Sequence, residues 1–109
     1  MTLTLELAAQ GFAAMGSEAR LQVLLCLVRA GETGLQVGEI GDRLDMPAST
    51  LAHHLKFLAA AGLIAQERQG RSTINRACLK ELAELGQYIV AECCQDEVSL
   101  STKRAANDG

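Results

Sequence analysis

Two adjacent thiols and one polar helix face are the places where this sequence can do chemistry. Cys93 and Cys94 are neighbours, and the other two cysteines, Cys26 and Cys78, stand apart from them in the chain. Successive Cα atoms lie about 3.8 Å apart across a trans peptide, below the roughly 4.4–6.8 Å usual for a disulfide, so a structural bridge within the pair is not expected. Two thiols at a fraying helix end can instead rotate toward one soft atom, because thiolates select thiophilic centres over hard cations. The competing use is packing in an interface, where cysteine behaves as a small hydrophobe. Cys26 lies inside an apolar run, Val23 to Val28, and reads as core. Cys78 stands about 22 Å along a helix from Cys93 at 1.5 Å per residue, too far to join it within one chain.

The second locus is Pro47 to Ile64, PASTLAHHLKFLAAAGLI. Pro47 suits a first helical turn, and Ser49 and Thr50 can cap the donors left open there. Leu51, Leu55 and Leu58 recur at helical spacing as a buried stripe, and Gly62 supplies a left-handed stop. Ser49, Thr50, His53 and Lys56 then share the opposite face. These are short hydrogen-bonding groups with one cation and no carboxylate, a set that can approach base edges and phosphates in a major groove. His54 is expected to pack or to reach a phosphate. A metal site on His53 and His54 is not expected, since helical neighbours diverge by about 100° and no third ligand is near. The plainer use of the same face is an ordinary solvated surface.

The elements that must position these groups follow from periodicity. Leu3, Leu7, Phe12 and Met15 predict a first helix over Leu3 to Met15 despite Gly11. Ser17 caps a second, central helix carrying Leu21, Leu24, Leu25 and Val28 and ending at Gly31. Glu32 to Gln36 reads as a loop. Val37, Ile40 and Leu44 mark a short third helix ending near Asp45, and Met46 and Pro47 turn into the polar-faced one, making a helix-turn-helix. Ile64–Gln69 and Ser72–Ala77 form a hairpin with Arg68 and Arg71 near its tip, a wing. The last helix, Leu79 to Gln95, has one stripe of Leu82, Leu85, Ile89 and Cys93 and an adjacent one of Leu79, Ala83, Gly86, Val90 and Cys94. So broad an apolar arc needs two partners, its own domain and a second copy paired through the first helix. Glu81, Glu84 and Glu92 make a solvated face. Residues 1–98 form one domain and Ser99 to Gly109 a disordered tail.

Composition agrees with a mostly α fold carrying a small β-hairpin: 49% of 109 residues are hydrophobic, with two Phe, one Tyr and no Trp. The formal charge of -3 excludes attraction to nucleic acid through net charge alone. Between Met46 and Lys80, however, Lys56, Arg68, Arg71, Arg76 and Lys80 face the single anion Glu67, a local excess of 5 - 1 = +4. A basic face on an acidic body is the footprint of a salt-sensitive DNA binder. No basic leader and no spanning apolar run is visible, so a reducing cytoplasm without a membrane partner is expected. An enzyme is not expected, for there is no Cys-x-x-Cys, phosphate loop or paired acid and base. A winged helix that binds protein instead of DNA remains the rival binding class.

In order and residues, SEARLQVLLCL, VGEIGDRLDMPASTLAHHLKFLAAAGLI and QERQGRSTINRA resemble the second helix, the helix-turn-helix and the wing of the ArsR/SmtB family of bacterial winged-helix repressors. The likeness runs from about Ala8 to Cys94. It implies a homodimer joined through its first and last helices that binds double-stranded, roughly palindromic operator DNA and releases it when an inducer binds. The Cys-Val-Cys of some members is absent, since LQVGEI has Gln36 and Gly38, and the last helix has no His for the zinc site of others. Cys93 and Cys94 resemble the adjacent pair of an arsenic-sensing branch, which implies a trivalent arsenic or antimony species as inducer. Some of those relatives carry a third cysteine a few residues later, and QDEVSLSTKRAANDG has none. Inorganic arsenic or antimony wants a third thiolate, whereas a mono-organic arsenical needs two. A third ligand could come from the partner chain, a small thiol, or Asp96 or Glu97 with zinc or cadmium. Some relatives place reactive cysteines on the second and last helices, so a redox- or persulfide-sensing repressor pairing Cys26 with Cys93 or Cys94 is the alternative.

Overall fold

Leu51, Leu55 and Leu58 have at most 1% of their surface exposed and form the floor on which the other elements settle. The computed structural model describes residues 3–96. In chain order the elements are α1 (Leu5–Ala14), α2 (Glu18–Ala30), a 3-10 turn (Gly31–Thr33), β1 (Leu35–Gln36), α3 (Val37–Leu44), α4 (Ala48–Ala60), β2 (Ile64–Gln69), β3 (Ser72–Ala77) and α5 (Leu79–Val90). Val23 and Leu27 of α2, Ile40 of α3, Leu63, Ile64 of β2 and Leu85 of α5 complete the core around α4. The central place expected for α2 is therefore observed. Truncating any one of these leucines to alanine would cost about 2–5 kcal/mol.

Local chemistry sets the boundaries. The Thr4 hydroxyl accepts from Leu7 N-H and starts α1, and the Ser17 hydroxyl accepts from Arg20 N-H and starts α2. The first helix is thus two residues shorter at its start than Leu3, and Ala14 rather than Met15 closes it. Its buried residues are Ala8, Gly11 and Ala14; of the stripe expected there, Leu3, Phe12 and Met15 pack partly buried against the core, and Leu7 is the member that is exposed, at 48%. Leu21 and Leu25 of α2 likewise lie at the surface, because Val23, Leu24, Cys26 and Leu27 take the inward positions.

The stretch expected as a loop, Glu32 to Gln36, holds the 3-10 turn and β1. Leu35 pairs with Asn75 and Gln36 with Ile74, giving an antiparallel sheet in the order β1-β3-β2. Gly34 makes this possible: it sits at φ 68°, and a Cβ there would stand 2.7 Å from the Asn75 carbonyl. The hairpin itself pairs Ile64 with Ala77 through Gln69 with Ser72, the strands foreseen. Asn75 is fully buried, donates from Nδ2 to the Leu35 carbonyl at 3.1 Å and accepts from Gln66 Nε2 at 2.8 Å, tying all three strands together.

The turn between α3 and α4 runs through Asp45 in the left-handed conformation, φ 52°. Pro47 is the N-cap of α4, not its first helical residue, and no side chain caps the helix, so Ser49 and Thr50 do not serve as caps. At the other end Gly62 (φ 76°) donates to the Ala59 carbonyl and Leu63 N-H to that of Leu58, the paired closure that a left-handed glycine provides. The last helix stops at Val90, five residues before Gln95, and Cys93 and Cys94 follow it in a turn. Glu97, the domain boundary at residue 98 and the tail from Ser99 lie outside the described residues. Among the described residues no single helix is long and apolar enough to cross a membrane.

Candidate nucleic-acid interface and thiol pair

The first turn of α4 exposes Ala48, Ser49 and Thr50 and carries no acidic residue. Its open N-H groups and the positive end of the helix dipole therefore face outward with two hydroxyls uncommitted to capping. That is an anion-binding end of the kind that seats a phosphate. One turn on, His53 is exposed and its ring meets Phe57 edge-on at 4.8 Å, and Lys56 is exposed beyond it. The His54 ring stands beside that of His53, with centroids 6.2 Å apart. It is half-buried with Nδ1 enclosed and unpartnered among the described residues, and burial, then the nearby Arg20 and His53, hold its pKa below the ordinary value of 6.5. A half-buried ring whose charged form is disfavoured suits packing, the first of the two roles expected for it.

The wing follows α4 directly. Arg71 is exposed at the tip beside Gly70, and Arg68 is exposed with Nε donating to the Gly70 carbonyl at 3.0 Å, which props the turn. Arg76 is committed elsewhere: it pairs with Glu67 at 3.1 Å and donates from Nε to the Glu32 carbonyl at 2.7 Å. That pair cancels one charge of each sign, leaving Lys56, Arg68, Arg71 and Lys80 as the local excess. Lys80 departs from this group, lining a groove of about 340 Å³ with Leu3, Leu7 and Glu84 between α1 and α5.

Sequence reasoning missed the part of Arg20. Its backbone N-H completes the Ser17 cap, while Nε donates to the Ala14 carbonyl at 2.6 Å and the guanidinium lies 5.2 Å from the Phe57 ring centre. One side chain thereby joins the end of α1, the start of α2 and the exposed side of α4. The signal was present in Ser-x-x-Arg, but only the fold reveals which carbonyls the arginine meets.

Cys93 and Cys94 are both exposed, with their sulfurs 3.2 Å apart, and Cys94 takes φ 65°. Three turn bonds, Glu92 N-H to the Ile89 carbonyl, Cys93 N-H to that of Val90 and Gln95 N-H to that of Glu92, hold this segment against the end of α5. Among the described residues no group of three or more His, Cys, Asp or Glu is arranged to hold a metal ion. Cys26 is a core residue, 5% exposed, whereas the pair lies on the surface. Cys78 is half-buried at the start of α5, where burial and Glu81 push its thiol pKa up.

A helix-turn-helix domain family matches residues 15–67. The HTH-type transcriptional repressor SmtB of Mycobacterium tuberculosis is 31% identical over 94 residues, spanning 86% of this chain and 67% of that protein. An ArsR-like transcriptional regulator from Rhodococcus sp. RHA1 superposes with a TM-score of 0.78 at 25% identity, covering 93% of this chain and 92% of that one. The homodimeric winged helix-turn-helix DNA-binding domain Mb0332 of Mycobacterium bovis shares the fold, with a TM-score of 0.64 at 24% identity over 84% of this chain and 85% of that one.

Proposed function

The chain belongs to the ArsR/SmtB family of winged-helix transcriptional regulators, and we propose that it is a repressor that binds operator DNA as a homodimer and lets go when a trivalent arsenic or antimony species takes Cys93 and Cys94. The observation that carries the DNA half is the first turn of α4, exposed, uncapped and free of carboxylates beside Ser49 and Thr50. His53 and Lys56 extend that face, and Arg68 and Arg71 give the wing its phosphate contacts. The SmtB relative is named a repressor and the Mycobacterium bovis neighbour a homodimer, which supports the same reading here.

The sensing half rests on the 3.2 Å separation of the sulfurs. Zinc–sulfur bonds of about 2.3 Å at the tetrahedral angle set two sulfurs roughly 3.8 Å apart. The pair stands closer than a tetrahedral zinc site would hold it, and thiolates select soft, thiophilic centres. Two thiols satisfy a mono-organic arsenical outright, and the inorganic species needs a third from a partner chain or a small thiol. Ligation at the end of α5 would shift the pairing of two protomers and misplace the α4 helices, and a hundredfold loss of DNA affinity requires about 2.7 kcal/mol of such coupling.

Fluorescence anisotropy on a duplex from upstream of the gene tests both halves. Binding should weaken steeply with salt, and Lys56→Ala and Arg71→Ala should each lower the log–log salt slope by about 0.9. Phenylarsenite and methylarsenite should release the wild type but not the Cys93→Ser, Cys94→Ser variant, which keeps its DNA affinity. Unchanged release from that variant would remove the sensor assignment. Retention of a protein partner by Lys56→Glu, Arg71→Glu, with no duplex binding by wild type, would favour the protein-interaction module instead.

A further inference from the structure

Adjacent side chains on a regular α-helix diverge by about 100°, so two neighbouring thiols meet only where the backbone leaves the helix. It does so here. α5 ends at Val90, and Cys94 adopts φ 65°, a left-handed position that a non-glycine residue seldom occupies. Backbone held in such a region points to a use for the geometry it creates. Its result is two exposed sulfurs 3.2 Å apart, within roughly 1.2 Å of the 2.05 Å bond length of a disulfide. The sequence-based objection to a bridge assumed a permanent structural bond. A strained, exposed disulfide is instead the labile kind that forms and is reduced again.

We infer that Cys93 and Cys94 form a reversible two-electron redox site, oxidised by hydrogen peroxide to a vicinal disulfide and restored by thiols. The Cys93 thiolate attacks one peroxide oxygen; the S–O bond forms, the O–O bond breaks, and the leaving oxygen takes a proton and departs as water. The Cys94 sulfur then attacks the sulfenic sulfur; the S–S bond forms, the S–O bond breaks, and a second water leaves. In sum the two sulfurs lose two electrons and the peroxide oxygens gain them. Two equivalents of a small thiol reverse this, ending as their own disulfide. Cys26, enclosed in the core, and Cys78, half-buried with a raised thiol pKa, are shielded from the same reaction.

The inference stands without the metalloid reading and is tested with no metalloid present. The full chain is treated with a small excess of hydrogen peroxide, denatured in N-ethylmaleimide, and examined by intact mass and tryptic mapping. The expected result is a fall in alkylated cysteines from four to two, a loss of the mass of two hydrogens, and an internal disulfide in the tryptic peptide of residues 81–103. Dithiothreitol should restore four. The Cys93→Ser variant, changed at an exposed position, should instead give sulfenic acid or a mixed disulfide at Cys94. Persistence of four alkylated thiols, a bridge to Cys26 or Cys78, or covalent dimers through the pair would each overturn the assignment.

Discussion

His54 shows how one residue of a polar-faced helix can be drawn half out of solvent. Its enclosed, unpartnered Nδ1 and lowered pKa mean that the unfolded chain binds a proton more readily than the folded one does. Where the unfolded state holds more protons, stability rises with pH. The contribution is therefore complete above the ordinary value of 6.5 and lost as pH falls through it toward the lower folded value. Urea midpoints between about pH 7.5 and pH 5 should drop on acidification in the wild type and drop less in His54→Leu, which removes the titrating group. Equal slopes in the two proteins would contradict this. The split between His53 and His54 was legible in part, because a 100° step per residue already sends neighbours to different faces. Which of the hydroxyls at Ser49 and Thr50 would be spent on capping was not legible, since it depends on the Asp45 turn that makes Pro47 the cap.

At the scale of elements, helix periodicity located five helices and the hairpin, and it failed where tertiary pairing decides. β1 is two residues long, too short for any alternation to be seen, and exists because Gly34 lets the chain pass against β3 and because Asn75 takes the Leu35 carbonyl. The helix at Leu79 was read too long because apolar residues continue past Val90, while the left-handed Cys94 carries no sequence marker such as glycine. The corner between α1 and α2 was likewise hidden, as Arg20 acts through carbonyls six and seven residues back. Its charge-assisted bond contributes about 1.5–3 kcal/mol and its seat over Phe57 about 0.5–1 kcal/mol. Arg20→Ala should therefore lower unfolding stability by about 2 kcal/mol. Arg20→Lys, which lacks the planar fork, should recover less than half of that, as chemical denaturation of the three proteins would report.

For the whole molecule, the apolar residues left outside the core are the surface on which the proposed homodimer rests. Leu5 is 73% exposed on α1, and Ile89 and Val90 are each 59% exposed on α5. The two helices pack together, so a single protomer presents these exposed side chains on neighbouring helices. The last helix turns Leu85 inward and leaves Ile89 and Val90 exposed, and on α1 the small residues Ala8 and Gly11 share the inward side with Phe12. Burying each such side chain against a second copy contributes about 1.5–3 kcal/mol, enough for a few of them to hold a dimer. Ile89→Asp with Val90→Asp places two carboxylates on that surface without touching the buried Leu85. Sedimentation should show a folded monomer, with the far-UV circular dichroism of the wild type. Because one protomer then engages only one half-site, affinity for a two-site operator should fall on the order of a hundredfold or more, while affinity for an isolated half-site stays the same. A variant that still sediments as a dimer would move the interface away from α1 and α5. A monomer that keeps full operator affinity would instead show that this protein reads DNA one winged helix at a time.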